Sequence, residues 1–261
     1  MQNNSLIVLS NTKVSERYWH MEVRAEDIVN DISPGQFFNI KCSPENFPFL
    51  RRPFSIYKIN KNQGTIEFLY LVKGGGTVSL TKVKAGENIE LLGPLGEGFT
   101  VDNSWNNILL LARGVGIATL AAMAQEASDR GIRCSAILSA RSYDDLLAAD
   151  MLQALGAKIY KVTEEDGTSD VDNVEKVIQN IIDNESIDAA FTCGSKRLSR
   201  LLQRMSSENN IPSQIALEEH MGCAMGVCYA CVCDIIEDGE KKSVRVCHNG
   251  PVFELDKVVL K

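Results

Sequence analysis

Long hydrophobic runs are missing from this sequence. No stretch approaches the ~20 apolar residues of a membrane span, so no membrane-spanning segment is expected. The start, Met1-Gln2-Asn3-Asn4-Ser5, carries no basic charge, and the apolar run behind it, Leu6 to Leu9, is only four residues long. That is too short for a signal peptide, and the expectation is a cytoplasmic protein. Positive charge is in deficit: 27 Lys and Arg stand against 34 Asp and Glu, a net charge of −7. Nucleic-acid binding rewards basic patches, and none is present. Histidine is scarce, and His20, His220 and His248 show no ligand spacing. They read as structural or surface residues. Internal repeats and low-complexity segments are also absent.

What remains is an ordinary soluble composition, 44% apolar and 23% charged over 261 residues, long enough for two domains and a small appendix. Three textures follow one another. Residues 1–100 hold short strand candidates, namely Leu6–Leu9, Tyr18–Val23, Gln36–Ile40, Thr65–Val72 and Asn88–Leu92. Ser33-Pro34-Gly35, Asn62-Gln63-Gly64 and Ala85-Gly86-Glu87 punctuate them as turns. Such spacing predicts a small antiparallel β-barrel. In residues 101–212 strands alternate with helices. Asn107–Ala112 is a continuous apolar run of the kind a buried parallel strand needs, followed by a helix over Ala118–Arg130. Strands at Cys134–Ser139, Lys158–Val162 and Ala189–Cys193 alternate with helices at Asp144–Leu155, Val171–Asp183 and Lys196–Asn209. The pattern predicts a parallel-sheet α/β domain. Residues 213–261 are poor in helix signal, with one strand candidate within Ala230–Ile236. The fold class expected is therefore multi-domain, β followed by α/β, with a small C-terminal unit.

That C-terminal unit holds five of the eight cysteines. Disulfides are rare in the cytosol, so the concentration points to a metal. Cys223, Cys228 and Cys231 are separated by four and then two residues, and Cys247 follows after fifteen more. This is the plant-type spacing of a [2Fe–2S] cluster held by four thiolates. Zinc ribbons pair C-x2-C with C-x2-C instead. Cys233 is one residue past Cys231 on the expected strand, so it points to the opposite face and is not taken as a ligand. Cys42, Cys134 and Cys193 read as small buried hydrophobes.

Phosphate-binding signals lie upstream. Arg51-Arg52-Pro53-Phe54-Ser55 ends a strand with an arginine able to pair a diphosphate and a serine able to bond a flavin ring. Gly74-Gly75-Gly76-Thr77 offers backbone N–H groups, as a helix start or a hairpin turn. Gly114 and Gly116 form a G-x-G at the turn after the first parallel strand, a modest nucleotide signal.

The order of these motifs resembles the ferredoxin reductase superfamily. Within it the chain is similar to the electron-transfer subunit family of dihydroorotate dehydrogenase B, through Leu217-Glu218-Glu219-His220-Met221-Gly222-Cys223 with Cys228, Cys231 and Cys233, and through Val246-Cys247-His248-Asn249-Gly250-Pro251-Val252-Phe253. The resemblance implies FAD on the barrel, lined by Arg52, Pro53, Phe54, Ser55, Leu69, Tyr70, Leu71, Gly75, Gly76 and Thr77. It implies NAD(H) docked over the flavin by the second domain, with Gly114 and Gly116 in its turn. The four-cysteine cluster would face an FMN-containing catalytic subunit in a heterotetramer serving pyrimidine biosynthesis. No side-chain acid or nucleophile is required, because flavin converts hydride chemistry to one-electron chemistry.

The chain departs from that pattern in one region. Arg113 stands where the family has a glycine, Thr119 where it has a proline, and Ser195 where Cys-Gly-Pro is usual. Arg113 would either contact phosphate or block the site. The alternatives are an electron-transfer subunit of a different oxidoreductase with a degenerate NAD site, and a cluster-based redox sensor.

Overall fold

In the computed structural model, which describes residues 2–45 and 47–260, the first zone forms one seven-stranded antiparallel sheet. Its strands are β1 (Gln2–Lys13), β2 (Tyr18–Arg24), β3 (Phe37–Ile40), β4 (Arg52–Ser55), β5 (Lys58–Asn60), β6 (Thr65–Leu71) and β7 (Asn88–Leu95). The order is β4-β3-β7-β1-β2-β6-β5, a half-barrel rather than a ring closed by hydrogen bonds. Period-two alternation explains its inside. Met21 and Val23 on β2 and Leu91 on β7 face one core, where Phe38 and Phe68 meet edge to face at 5.9 Å. Helix α1 (Gly75–Leu80) follows β6, so the glycine run opens a helix and is not a hairpin turn.

The second sheet has six strands in the order β10-β9-β8-β11-β12-β15. They are β8 (Asn107–Arg113), β9 (Arg133–Ala140), β10 (Lys158–Thr163), β11 (Ala189–Cys193), β12 (Ser213–Ala216) and the antiparallel edge strand β15 (Val252–Glu254). Helices α2 (Ile117–Asp129), α3 (Ala149–Ala154), α4 (Val171–Asn184) and α5 (Lys196–Glu208) connect or cover them. Val174, Ile178 and Ile181 of α4 are buried at helical spacing. The Asp170 carboxylate accepts from the Asn173 N–H at 2.9 Å, a cap of the kind worth about 1 kcal/mol. Gln125 of α2 docks this domain on the half-barrel by exchanging two hydrogen bonds with the Ile59 backbone, at 3.0 and 2.7 Å.

One expectation needs correction. The helix over Asp144–Leu155 is broken. A tight turn at Tyr143–Asp145 and the short α3 are separated by Ala148, which is left-handed at φ 61°. Tertiary bonds override propensity here: the Tyr143 backbone N–H donates to Glu165 Oε2 at 3.1 Å and its hydroxyl to Asp166 at 2.7 Å. On the other side of the sheet, β12 pairs in parallel with β11 and antiparallel with β15. Between β12 and β15 lie the cysteine loop, the hairpin of β13 (Val232–Glu237) and β14 (Glu240–Arg245), and the short α6 (Val246–Asn249). Among the described residues no helix is long and apolar enough to cross a membrane.

Candidate functional site

Strand order locates the first site. From β8 the chain moves to β9 on one side, while β11 lies on the other, so the sheet's switch point falls between the C-terminal ends of β8 and β11. Ligands of open α/β sheets bind in that crevice. There the β8 turn passes so close to the β11 turn that a Cβ on Gly116 would meet the Cys193 carbonyl oxygen at 2.6 Å, and one on Gly194 would collide with the Arg113 carbonyl. Gly116 and Gly194 are thus required by backbone approach, and Gly194 also by its φ of +100°.

A cavity of about 690 Å³ opens between this crevice and the half-barrel. All ten residues expected at the flavin line it: Arg52, Pro53, Phe54, Ser55, Leu69, Tyr70, Leu71, Gly75, Gly76 and Thr77. Gly114 and Gly116 do not; their neighbours Val115 and Ala118 do. The opposite wall adds Lys196, Leu217, Glu218, Glu219, His220, Met221 and Pro251, none of them singled out as flavin contacts from sequence. His220, read as a structural or surface residue, faces this cavity.

The residues at one end suit a diphosphate. A Cβ on Gly76 would sit 3.2 Å from Arg52 Nε, so glycine lets the guanidinium lie against the helix start. Thr77 Oγ1 accepts from the N–H groups of Lys73 and Gly74 at 2.9 and 3.2 Å, which fixes the turn. Arg51 and Arg52 diverge. Arg51 reaches Asn3 Oδ1 at 3.0 Å and Glu90 Oε2 at 3.2 Å on the sheet, away from the cavity. Arg52 alone points into it, its Nη1 also donating to the Leu50 and Arg51 carbonyls at 2.6 and 3.1 Å.

Arg113, the departure in the nucleotide turn, is drawn sideways across the strand ends. Its Nη1 donates to Ser139 Oγ at 2.8 Å, and its Nη2 pairs with Glu164 beyond β10. The guanidinium therefore leaves the turn itself to Gly114 and Gly116. Thr119 Oγ1, at the first turn of α2, is buried and has no hydrogen-bond partner among the described residues. Cys193, behind the turn, is fully packed, and burial pushes its thiol well up.

The second site is the cysteine loop. Among the described residues no three His, Cys, Asp or Glu side chains converge as a single metal ion would require. The thiols meet instead as two pairs. Cys223 and Cys228 exchange backbone N–H to Sγ contacts at 3.4 Å, and the Cys247 N–H donates to Cys231 Sγ at 3.4 Å. Four soft donors in two pairs fit a two-iron cluster, in which each iron takes two thiolates. A Cβ on Gly222 would press on Cys228 Sγ at 3.2 Å, and Gly226 turns the loop at φ +79°. Arg245 braces the loop by donating to the Gly226 carbonyl at 2.7 Å, with its guanidinium over the Tyr229 ring at 5.0 Å.

Protonation differs between the pairs. Burial raises the Cys223 thiol, but the Met225 N–H, the Cys228 thiol and further N–H donors outweigh it and hold it at about 6. Burial and the neighbouring Cys231 push Cys247 up to about 12. The Cys223 thiol is ready to be anionic; the Cys247 thiol needs the charge of a metal, which deprotonates a thiol that ligates it. Cys233 makes none of these contacts and pairs with Val244 across the hairpin.

Phe37 joins the two sites. It lines the cavity and also packs, with Leu95, in the apolar cluster that contains Ala224, Cys231, Val246 and Cys247.

Comparison with known proteins agrees with this division. Residues 5–99 match the oxidoreductase FAD-binding domain. Residues 218–259 match the iron–sulfur cluster binding domain of dihydroorotate dehydrogenase B. The chain is 30% identical over 252 residues to the electron transfer subunit of dihydroorotate dehydrogenase B (NAD(+)) from Desulforamulus reducens, covering 97% of this chain and 96% of that one. It is 32% identical to the same subunit from Bacillus mycoides, over the whole of both chains. Among solved structures, the NADH-dependent reduced ferredoxin-NADP oxidoreductase shares the fold with a TM-score of 0.82 at 23% identity, over 98% of this chain and 90% of that one. Ferredoxin-NADP+ reductase from Plasmodium falciparum follows at 0.64 and 14%, over 82% of this chain and 96% of that one.

Proposed function

Because this chain belongs to the family of dihydroorotate dehydrogenase B electron transfer subunits, we propose that it relays electrons between NAD(H) and a catalytic dihydroorotate dehydrogenase subunit of pyrimidine biosynthesis. FAD is held in the central cavity, and a [2Fe–2S] cluster by Cys223, Cys228, Cys231 and Cys247. The observation that carries this reading is the shared wall: one cavity faces the switch point of the α/β sheet on one side and, through Phe37, the buried cysteine pair on the other. When bound, flavin supplies the conversion between hydride transfer and the one-electron chemistry of the cluster.

The residues have distinct tasks. Arg52 and the Gly75–Thr77 helix start hold the diphosphate, and Ser55, Leu69 and Tyr70 hold the ring system. Val115 and Ala118, at the crevice, form the side from which nicotinamide approaches, with Gly114 and Gly116 shaping the turn behind them. Residues 1–100 then serve as the FAD module and 101–212 as the NAD(H) module. The cluster module begins near 218 and not at 213, since Ser213–Ala216 is sheet. Free thiols kept as ligands suit a reducing compartment, which supports a cytoplasmic location.

The outer cysteine pair reaches the surface in a loop whose own apolar side chains Met225, Val227 and Tyr229 are exposed. A patch of this kind around a redox centre suits a docking face for the catalytic subunit.

Anaerobic titration with NADH tests the nicotinamide side. The flavin absorbance is expected to bleach within seconds of adding one equivalent. Absence of bleaching in flavin-replete protein would mean that Arg113 and Thr119 have closed the nucleotide site.

A further inference from the structure

The two most exposed large hydrophobic side chains among the described residues are Phe49, at 87%, and Phe47, at 78%. They belong to the segment before β4 and not to the cysteine loop. We propose that Phe47 and Phe49 form an aromatic platform for the adenine ring of the bound FAD. This rests on the flavin reading above and adds the subsite that reading leaves open.

The placement follows from the polarity of the cavity. Its ring end lies where Leu69 and Tyr70 face Val115 and Ala118 at the crevice, and its phosphate end lies at Arg52 and the turn of Gly75 and Gly76. Only the adenosine part of FAD continues beyond the diphosphate. Phe47 stands at that end: its Cε1 is 3.7 Å from the position a Cβ on Gly75 would take, the one contact within 4 Å there among the described residues. Phe49 is tethered to the same end, because Arg52 donates to the carbonyl of Leu50, the next residue, at 2.6 Å. The guanidinium that meets the diphosphate therefore also positions the backbone beside the rings. Neither ring lines the cavity itself, so both lie where adenine emerges and not where flavin sits. Rings left in water gain from a flat π-face, and purine stacking needs no hydrogen-bond pattern.

FMN lacks the adenosine half and separates the platform from the rest of the site. Full-length, cluster-containing protein is stripped of flavin and titrated with FAD and with FMN, following flavin fluorescence. The Phe47→Ala/Phe49→Ala double variant is expected to bind FAD about 10- to 100-fold more weakly, since stacking on one ring is worth roughly tenfold. FMN affinity and the Tm of the flavin-free protein are expected to stay at wild-type values. An unchanged FAD affinity overturns the proposal and gives the rings to a protein partner. An equal fall for both flavins, or a lowered Tm, overturns it in favour of a structural role. Wild-type protein that binds neither flavin overturns the flavin reading itself.

Discussion

Cys228→Ala removes the iron and the cluster's visible absorption from the purified protein while FAD stays at about one per chain. Cys228 is the informative ligand because it is exposed. Its truncation deletes a thiolate and little packing, so loss of iron is not loss of fold. Cys231 and Cys247 are buried beside Phe37, Leu95 and Val246, and shortening either would also open a hole costing about 1 kcal/mol or more. Loss of one donor leaves one of the two pairs incomplete, and Cys233 makes none of the contacts that hold the pairs. Flavin reduction by NADH survives in this variant, whereas delivery of electrons to the catalytic subunit falls by orders of magnitude. Cys42→Ala, at a buried cysteine of the half-barrel core, is the control that keeps its iron. Atomic absorption and the visible spectrum read both outcomes.

Arg52→Ala is expected to weaken FAD binding about 10- to 100-fold, because hydrogen bonds to a charged partner contribute about 1.5–3 kcal/mol and each 1.4 kcal/mol is about tenfold. Arg51→Ala leaves FAD affinity at the wild-type value. The adjacent arginines are spent on different neighbours, Arg51 on Asn3 and Glu90 and Arg52 on the cavity and the Leu50 carbonyl. Arg51 forfeits only a half-exposed ion pair, worth no more than about 1 kcal/mol of stability. Flavin retained through gel filtration separates the two variants, and equal loss from both would remove Arg52 from its assigned role.

The contrast between those arginines marks where sequence reading reaches its limit. Alternation and apolar runs located most of the strands, though not β5, β12, β14 or β15, because burial on one or both faces is a local property of the chain. The C-x4-C-x2-C spacing was legible for the same reason: three ligands in one loop need a fixed number of residues between them. Contacts made across the fold left no local trace. Lys196, Leu217 and Met221 line the flavin cavity only because β11 and β12 end at the same crevice. Ser213–Ala216 is not among the strands expected from the sequence, yet it pairs in parallel with β11. The segment Asp144–Leu155 has a helical pattern, yet Tyr143 is anchored by Glu165 and Asp166 from the next loop. Gly116 is needed for backbone packing against the β11 turn, and its neighbours Val115 and Ala118 line the cavity wall. Arg113, ambiguous in sequence between contact and obstruction, is held by Ser139 and Glu164 away from the turn.

The central claim is that one chain holds both a flavin and a two-iron cluster. Anaerobic purification followed by iron, sulfide and flavin assays with a visible spectrum on the same sample tests it most directly. The account predicts flavin bands over a broad cluster shoulder, with about one FAD and two irons per chain. A colourless protein containing zinc would contradict it.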